Sequence, residues 1–322
     1  MDRRMLLPII AAFATIYLVW GTTYLGLAVV LRTLPPFASG AIRFALAGAI
    51  LYALLRLRGP APLRGVPWKQ AILAGILLSG FGNGLVIWGQ QTVPSGIAAL
   101  LVAALPLWIL FFDTVGFARR RPGLKDLAGS AIGLSGVLLI VSQTRSFDGS
   151  GTLLPTLSIL FATFAWAIGT LVQRAAVRPG QVGAFACAQM LAGAACQALC
   201  ALAAGEWPQV QLADFTPTTV WTLLYLAVFG SVIAFSAYLW LVTRVSTPAV
   251  ATYSLINPVV AMVLGSIVLG ERIPAAAITA SALVLVGVAL VLWPGHRVRS
   301  DLPAMAPGAA IAPDKLAIEH AR

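Results

Sequence analysis

One arginine stands where an apolar chain would be expected to exclude it. Arg43 lies within Gly40–Gly48, followed by twelve uncharged residues (44–55) and preceded by ten (33–42). A guanidinium offers five donors in a rigid fork and suits a carboxylate, but at the centre of a membrane span it costs about 2.5–3.5 kcal/mol on insertion scales. It therefore calls for a partner inside the protein: a carbonyl, Asp113, or an anionic group of a bound solute. Other polar and aromatic residues recur at helical spacings of three and four: Trp20, Thr23 and Tyr24; Asn83, Ile87 and Gln90; Trp166, Thr170 and Gln173; Tyr253 and Asn257. Polar side chains inside spans face the bundle interior, so these faces outline a binding cavity. Packing between helices is the competing explanation for each of them. Asn257-Pro258 reads equally as a kink with a satisfied amide or as a substrate contact, since Pro258 frees a carbonyl nearby. Asp113 reads first as a structural ion pair with Arg119–Arg121 or Arg43, and second as a proton-coupling carboxylate.

The same residues exclude other chemistry. Covalent catalysis wants paired carboxylates, a His/Asp cluster or a nucleophile beside its base. The two histidines, His296 and His320, lie beyond the last apolar segment. No phosphate-cradling loop of the P-loop type occurs, which argues against a built-in ATPase motor. Cys187, Cys196 and Cys200 fall in one apolar segment with no histidine beside them, so neither a disulfide framework nor a zinc site is expected. The expectation is a protein without cofactor or metal.

The elements that position these groups follow from composition. Of 322 residues, 60% are hydrophobic and 10% charged, against about 25% charged in a soluble domain. Long neutral runs separate the charges, the longest being residues 70–112. A helix needs about 20 apolar residues to cross the hydrocarbon core, so that run holds two spans and each of the others one. Breakers and charges predict an all-α polytopic membrane protein of ten helices, near 6–31, 36–55, 69–89, 95–117, 125–142, 152–173, 182–204, 217–242, 247–269 and 275–293. The apolar run at the start exceeds a signal-peptide core and lacks a small-x-small cleavage site, so it reads as a retained first helix. Residues 295–322 read as a disordered cytoplasmic tail rich in Ala and Pro.

Lys and Arg are divided between alternate loops fifteen to three, which places both termini in the cytoplasm. The net charge of +11 then reflects topology and attraction to an anionic bilayer rather than a nucleic-acid partner. A monomer and a homodimer are both compatible with this pattern. Weak self-similarity also appears. A shift of 152 residues aligns Pro106 with Pro258, Arg120 with Arg272 and Pro122 with Pro274, and a shift of 146 aligns Trp20 with Trp166. Two five-helix repeats, 1–145 and 146–294, are expected. The odd number of spans in each would invert one repeat relative to the other.

The stretch WGTTYLGLAVVLRTLPPFASGAIRFALAG resembles the first two helices of EamA-type carriers of the drug/metabolite transporter superfamily. The segment from Pro248 through Asn257-Pro258 to Gly270-Glu271-Arg272 and Pro274 resembles that family's C-terminal mark. In the first half the Gly-Glu-Arg mark has decayed to Phe117-Ala118-Arg119-Arg120. The resemblance implies a ten-helix inverted-repeat carrier with a central cavity that exports small metabolites, amino acids or toxic compounds. The function expected is a secondary transporter of the inner membrane that exports a small organic solute by alternating access, with a passive facilitator or channel as the first alternative and a membrane-embedded scaffold or enzyme as the next. Within it, Gly129-Gly133-Gly136 and Gly75-Gly80-Gly82-Gly84 read as close-packing stripes. Gly-Glu-Arg at 270–272 reads as the end of helix nine and the cap of a turn.

Overall fold

Between its charged clusters the backbone meets no water in a bilayer, so its polar groups must pair within each segment, and the chain winds into helices. The computed structural model describes residues 3–60, 63–112, 114–115, 123–143, 153–178, 180–245, 249–250, 252–271 and 273–292. These are all-helical, with no strand among them. Nine helices are long and apolar enough to span a membrane, and a tenth apolar helix is shorter. In chain order they are α1 (Arg3–Val30), α2 (Pro36–Arg56), α3 (Trp68–Gly89), α4 (Ser95–Phe112), α5 (Leu124–Gln143), α6 (Leu153–Ala176), α7 (Val182–Ala203), α8 (Pro217–Val242), α9 (Tyr253–Leu269) and α10 (Ala275–Leu292). The bounds fall within a few residues of the sequence expectation except in α9. There Ala249 and Val250 are helical, but the continuous helix starts only at Tyr253. Asp113, Arg119–Arg121, Arg145, Arg272 and the expected tail lie outside the described residues.

Proline explains the interruption of α4, and both α4 and α9 carry one. Pro106 and Pro258 have no N–H for the fourth residue back, which weakens the preceding turn. In α4 the helix breaks at Ala103-Ala104 before resuming at Leu105, and in α9 a turn at Thr252 precedes the helix carrying Pro258.

Two other helices change winding instead of breaking. Gly75–Gly82 in α3 and Leu226–Ile233 in α8 are π-helical, each eight residues long. A π turn spaces backbone pairs one residue further apart and leaves carbonyls open to side chains. Asn83 Nδ2 donates to the Leu78 carbonyl at 3.0 Å, and Ser231 Oγ donates to that of Leu226 at 3.1 Å. The Ser79 carbonyl accepts from Gln197 Nε2 of α7 at 2.6 Å, and the Gly230 carbonyl from Trp20 Nε1 of α1 at 3.0 Å.

The most extensive helix pairs are α5 with α10, α3 with α6, and α2 with α7. Lipid tails are as apolar as Leu, so tight van der Waals fit holds such pairs, and small residues permit it. Gly129, Gly133 and Gly287 bring α5 and α10 into backbone contact: a Cβ on Gly129 would stand 2.6 Å from the Gly287 carbonyl oxygen, and one on Gly287 would strike the Gly133 nitrogen. The glycine stripe at 129–136 is thus a packing face, as its sequence suggests. Gly75 is held in the same way, against the Gln189 carbonyl of α7.

Two glutamates join helix starts from elsewhere in the chain. Glu206, in the loop between α7 and α8, accepts from Ala38 N in the first turn of α2 at 2.8 Å. Glu271, after α9, accepts from Ser95 N and Ser95 Oγ at the start of α4, both at 2.9 Å. Gly270 does end α9 in a left-handed turn (φ +68°). The sequence reading needs correction at the next residue: the Glu271 carboxylate caps α4 and not a turn of its own, because helix N-termini present unpaired N–H groups and positive dipole ends to it. Burial pushes the pKa of Glu206 above its ordinary value, while the N–H groups of Ala38 and Phe37 pull it down.

Two predictions follow from these contacts. Gly287→Leu should lower the thermal midpoint in detergent by the equivalent of about 1–3 kcal/mol, since overpacking forces α5 and α10 apart. Glu206→Ala should cost about 1 kcal/mol by uncapping α2. The folded-state pKa of Glu206 is raised, so the stability tied to this group is fullest below the unfolded pKa and declines as pH rises through the folded one. Glu206→Gln keeps an acceptor and should gain on the wild type over that window, which melting curves taken across pH will show.

Candidate functional site

Seven helices converge on one cavity. Its walls are Trp20, Thr23, Tyr24 and Leu27 of α1, Arg43 and Phe44 of α2, Asn83 and Val86 of α3, and Val102 of α4. Trp166 of α6, Gly230 and Phe235 of α8, and Tyr253 and Asn257 of α9 complete it. The cavity measures about 30 Å³, room for one or two water molecules. A larger solute enters only if side chains or helices move.

Arg43 is 4% exposed. Small residues let α2 approach its neighbours there: Gly40 leaves space for the Gln197 amide, and Gly48 for Leu191. The π-wound turn of α8 carries Ser231 to the guanidinium, and Arg43 Nε donates to Ser231 Oγ at 3.0 Å. Ser231 donates its own O–H to the Leu226 carbonyl, so the hydroxyl is fixed as an acceptor toward Arg43. Gly230 gives the other side of the guanidinium its room, since a Cβ there would stand 3.2 Å from Nη2. The guanidinium carbon also lies 5.0 Å from the centre of the Phe44 ring. Arg43 Nη1 is buried and has no hydrogen-bond partner.

Trp20 organises the aromatic wall. Its indole N–H is anchored on the Gly230 carbonyl. Its ring meets Tyr253 at 4.9 Å, Phe235 at 5.9 Å and Trp166 at 6.3 Å, all edge-to-face, a geometry worth about 0.5–1.5 kcal/mol per pair beyond area burial. The two tryptophans that the sequence aligns at a shift of 146 therefore touch. Asn257 Nδ2, oriented toward acceptors, donates to the carbonyls of Tyr253 at 3.2 Å and Tyr17 at 3.0 Å. It both satisfies the proline-bearing helix and borders the cavity. Thr23 returns its hydroxyl to the Trp20 carbonyl at 2.7 Å.

Three of the expected lining residues stand elsewhere. Gln90 is buried and donates to the Tyr24 carbonyl at 3.1 Å, tying α3 to α1. Thr170 accepts from the Tyr238 hydroxyl at 3.4 Å, and Gln173, buried on α6, is outside the cavity wall. Helical spacing placed them on the correct face, but α6 runs past the cavity after Trp166. Asp113 lies outside the described residues. Sequence reasoning missed Ser231, Gly230 and Phe235. Regular 3.6-residue periodicity does not hold through a π turn, so no spacing rule aimed Gly230 and Ser231 at Arg43. Among the described residues no group of His, Cys, Asp and Glu could hold a metal ion.

The Ser231 contact can be tested alone. Ser231→Ala leaves Arg43 Nε buried without an acceptor and should destabilise by about 1–3 kcal/mol in detergent melting. Ser231→Thr, which keeps the hydroxyl, should recover most of that loss.

Comparison with known proteins fits this arrangement. The model of the EamA-like transporter family matches twice, over residues 6–142 and 153–293. The uncharacterized inner membrane transporter YedA of Escherichia coli (strain K12) is 35% identical over 309 residues, covering 92% of this chain and 96% of its own. A probable amino-acid metabolite efflux pump of the same organism is 24% identical, covering 85% of this chain and 91% of its own. A protein solved by crystallography superposes with a TM-score of 0.62 at 24% identity, over 87% of this chain and 94% of its own, a likeness of fold. With the family model matching nearly all of the helical chain, the protein belongs to the EamA-like transporter family and is a multi-pass membrane transporter, not an enzyme.

Proposed function

We propose that the protein is a secondary transporter of the inner membrane that exports a small organic solute by alternating access. In this reading two five-helix halves, α1–α5 and α6–α10, form an inverted repeat with both termini in the cytoplasm. The observation that carries it is the cavity: first-half helices α1–α4 and second-half helices α6, α8 and α9 all supply its wall, around a buried cation. A site shared by two halves opens to one side or the other as the halves rock.

Further features support the repeat. The π-wound turns of α3 and α8 occupy equivalent positions, 151 residues apart, as do the Ser79 and Gly230 carbonyls that accept from other helices. Exchanging each helix for its counterpart turns the α1–α9 contact into α6–α4, and α2–α8 into α7–α3, and all four are made. The pairs α2–α7, α4–α9 and α5–α10 map onto themselves.

The same topology puts the starts of α2 and α4 on the outer face. Glu206 and Glu271, both of the second half, grip those starts, and together they hold that face shut. Outward opening breaks or carries along these caps while the narrow cavity widens. Among the relatives, one is named an inner membrane transporter and another a probable efflux pump, which supports the same membrane and direction here. No bond is made or broken in the solute: transport needs only differential binding to two conformations.

The test begins with a metabolite comparison of cells with and without the protein, followed by proteoliposome counterflow of the leading solute. Trans-stimulation by unlabelled solute is expected, whereas a passive facilitator would show none. Arg43→Ala should insert and fold but lose transport at least tenfold, the equivalent of one charged hydrogen bond of about 1.5 kcal/mol or more, and Arg43→Lys should retain part. Normal counterflow by Arg43→Ala would remove Arg43 from the solute site.

A further inference from the structure

We infer that the cavity holds a subsite for the carboxylate of a monoanionic organic acid with an apolar body, formed by Arg43, Trp166 and Tyr253. This rests on the transporter reading above and narrows its solute to one chemical class. The cavity-lining residues contain three buried polar atoms without a hydrogen-bond partner: Arg43 Nη1, Trp166 Nε1 and the Tyr253 hydroxyl. All three can donate. A buried donor left unpaired costs about 1–3 kcal/mol, and more when it is charged. Three such donors from α2, α6 and α9 around one space leave room for an acceptor that belongs to the solute.

Charge decides which acceptor. Arg43 is the cationic residue of the cavity wall, and no Asp or Glu lines the cavity among the described residues. A single carboxylate neutralises the guanidinium and takes a charge-assisted N–H bond from it. A dianion such as a phosphate monoester would bring one charge too many into a dry site. An ammonium group would find no carboxylate to offset its desolvation, so the site favours a plain acid over the corresponding amino acid.

Ser231 is the positioning residue. With Nε committed to Ser231 and Nη2 packed on Gly230, Nη1 is the guanidinium nitrogen left for the solute. The remaining wall, Trp20, Leu27, Phe44, Val86, Val102 and Phe235, is apolar and suits a hydrocarbon or aromatic body.

The experiment is isothermal titration of the purified full-length protein in detergent with three probes of one shape: hydrocinnamate, phenylalanine and phenethylamine. Hydrocinnamate should bind saturably, phenylalanine about tenfold more weakly, and phenethylamine not at all, tenfold being about 1.4 kcal/mol. Arg43→Gln should weaken hydrocinnamate at least tenfold and abolish the preference for the anion. Trp166→Phe, which keeps a ring and loses the N–H, should weaken it several-fold. The wild-type order of the three probes stands as a test even if a variant fails to fold. Tighter binding of phenylalanine or phenethylamine, absence of hydrocinnamate binding, or undiminished binding by folded Arg43→Gln would overturn the subsite. Hydrocinnamate binding without counterflow of any solute would sink the transporter reading and leave the subsite standing. A transported solute without an anionic group would do the reverse.

Discussion

A guanidinium kept away from water, with one of its donors held and another free, is the constraint around which the interior is arranged. Desolvating such a charge costs several kcal/mol even after relaxation, and only close hydrogen-bond partners repay it. Arg43 Nε has such a partner in Ser231, while Nη1 has none. The surroundings follow from that need. The π-wound turn of α8 delivers the serine and opens the Gly230 carbonyl to Trp20. Trp20 then fixes the aromatic wall, small residues on α2 let that helix pack closely on α7, and Gly230 of α8 leaves room beside the guanidinium.

The framework holding this interior has rigid and separable parts. α5 and α10 meet backbone to backbone through glycines, a contact that changes little without being lost altogether. The glutamate caps are of another kind. Each is a few hydrogen bonds between a carboxylate and a helix start, which can break as units while the helices stay intact. In the proposed alternating-access cycle the first kind of contact, made between the two halves, supplies a lasting joint and the second a face that opens. The narrow cavity is consistent with a conformation closed around the site, since domain motions at packed interfaces move between discrete arrangements.

Much of this could be read from the sequence, for physical reasons. Long neutral runs locate helices because a bilayer tolerates little else, and a central arginine is conspicuous against them. Trp20, Thr23 and Tyr24 share a face because α1 keeps regular winding through that stretch. The reading loses accuracy where winding changes. The register of α8 shifts in its π turn, and Ser231 is one small hydroxyl among many, so nothing in its spacing tied it to Arg43. Gln173 shows the opposite limit: its face is the inner one, but distance along the helix carries it past the cavity. Glu206 and Glu271 are separated by long stretches of chain from the helix starts they cap, and capping at such range leaves no local pattern.

The central claim is that the space beside Arg43 is a solute path reached alternately from both sides of the membrane. The most direct measurement places a single cysteine at Asn83, on the cavity wall, in a protein lacking Cys187, Cys196 and Cys200. Its labelling by a membrane-impermeant thiol reagent is then followed from each side in oriented vesicles. The account predicts labelling from either side, slowed by the transported solute. Labelling from one side only, with no effect of solute, would contradict it.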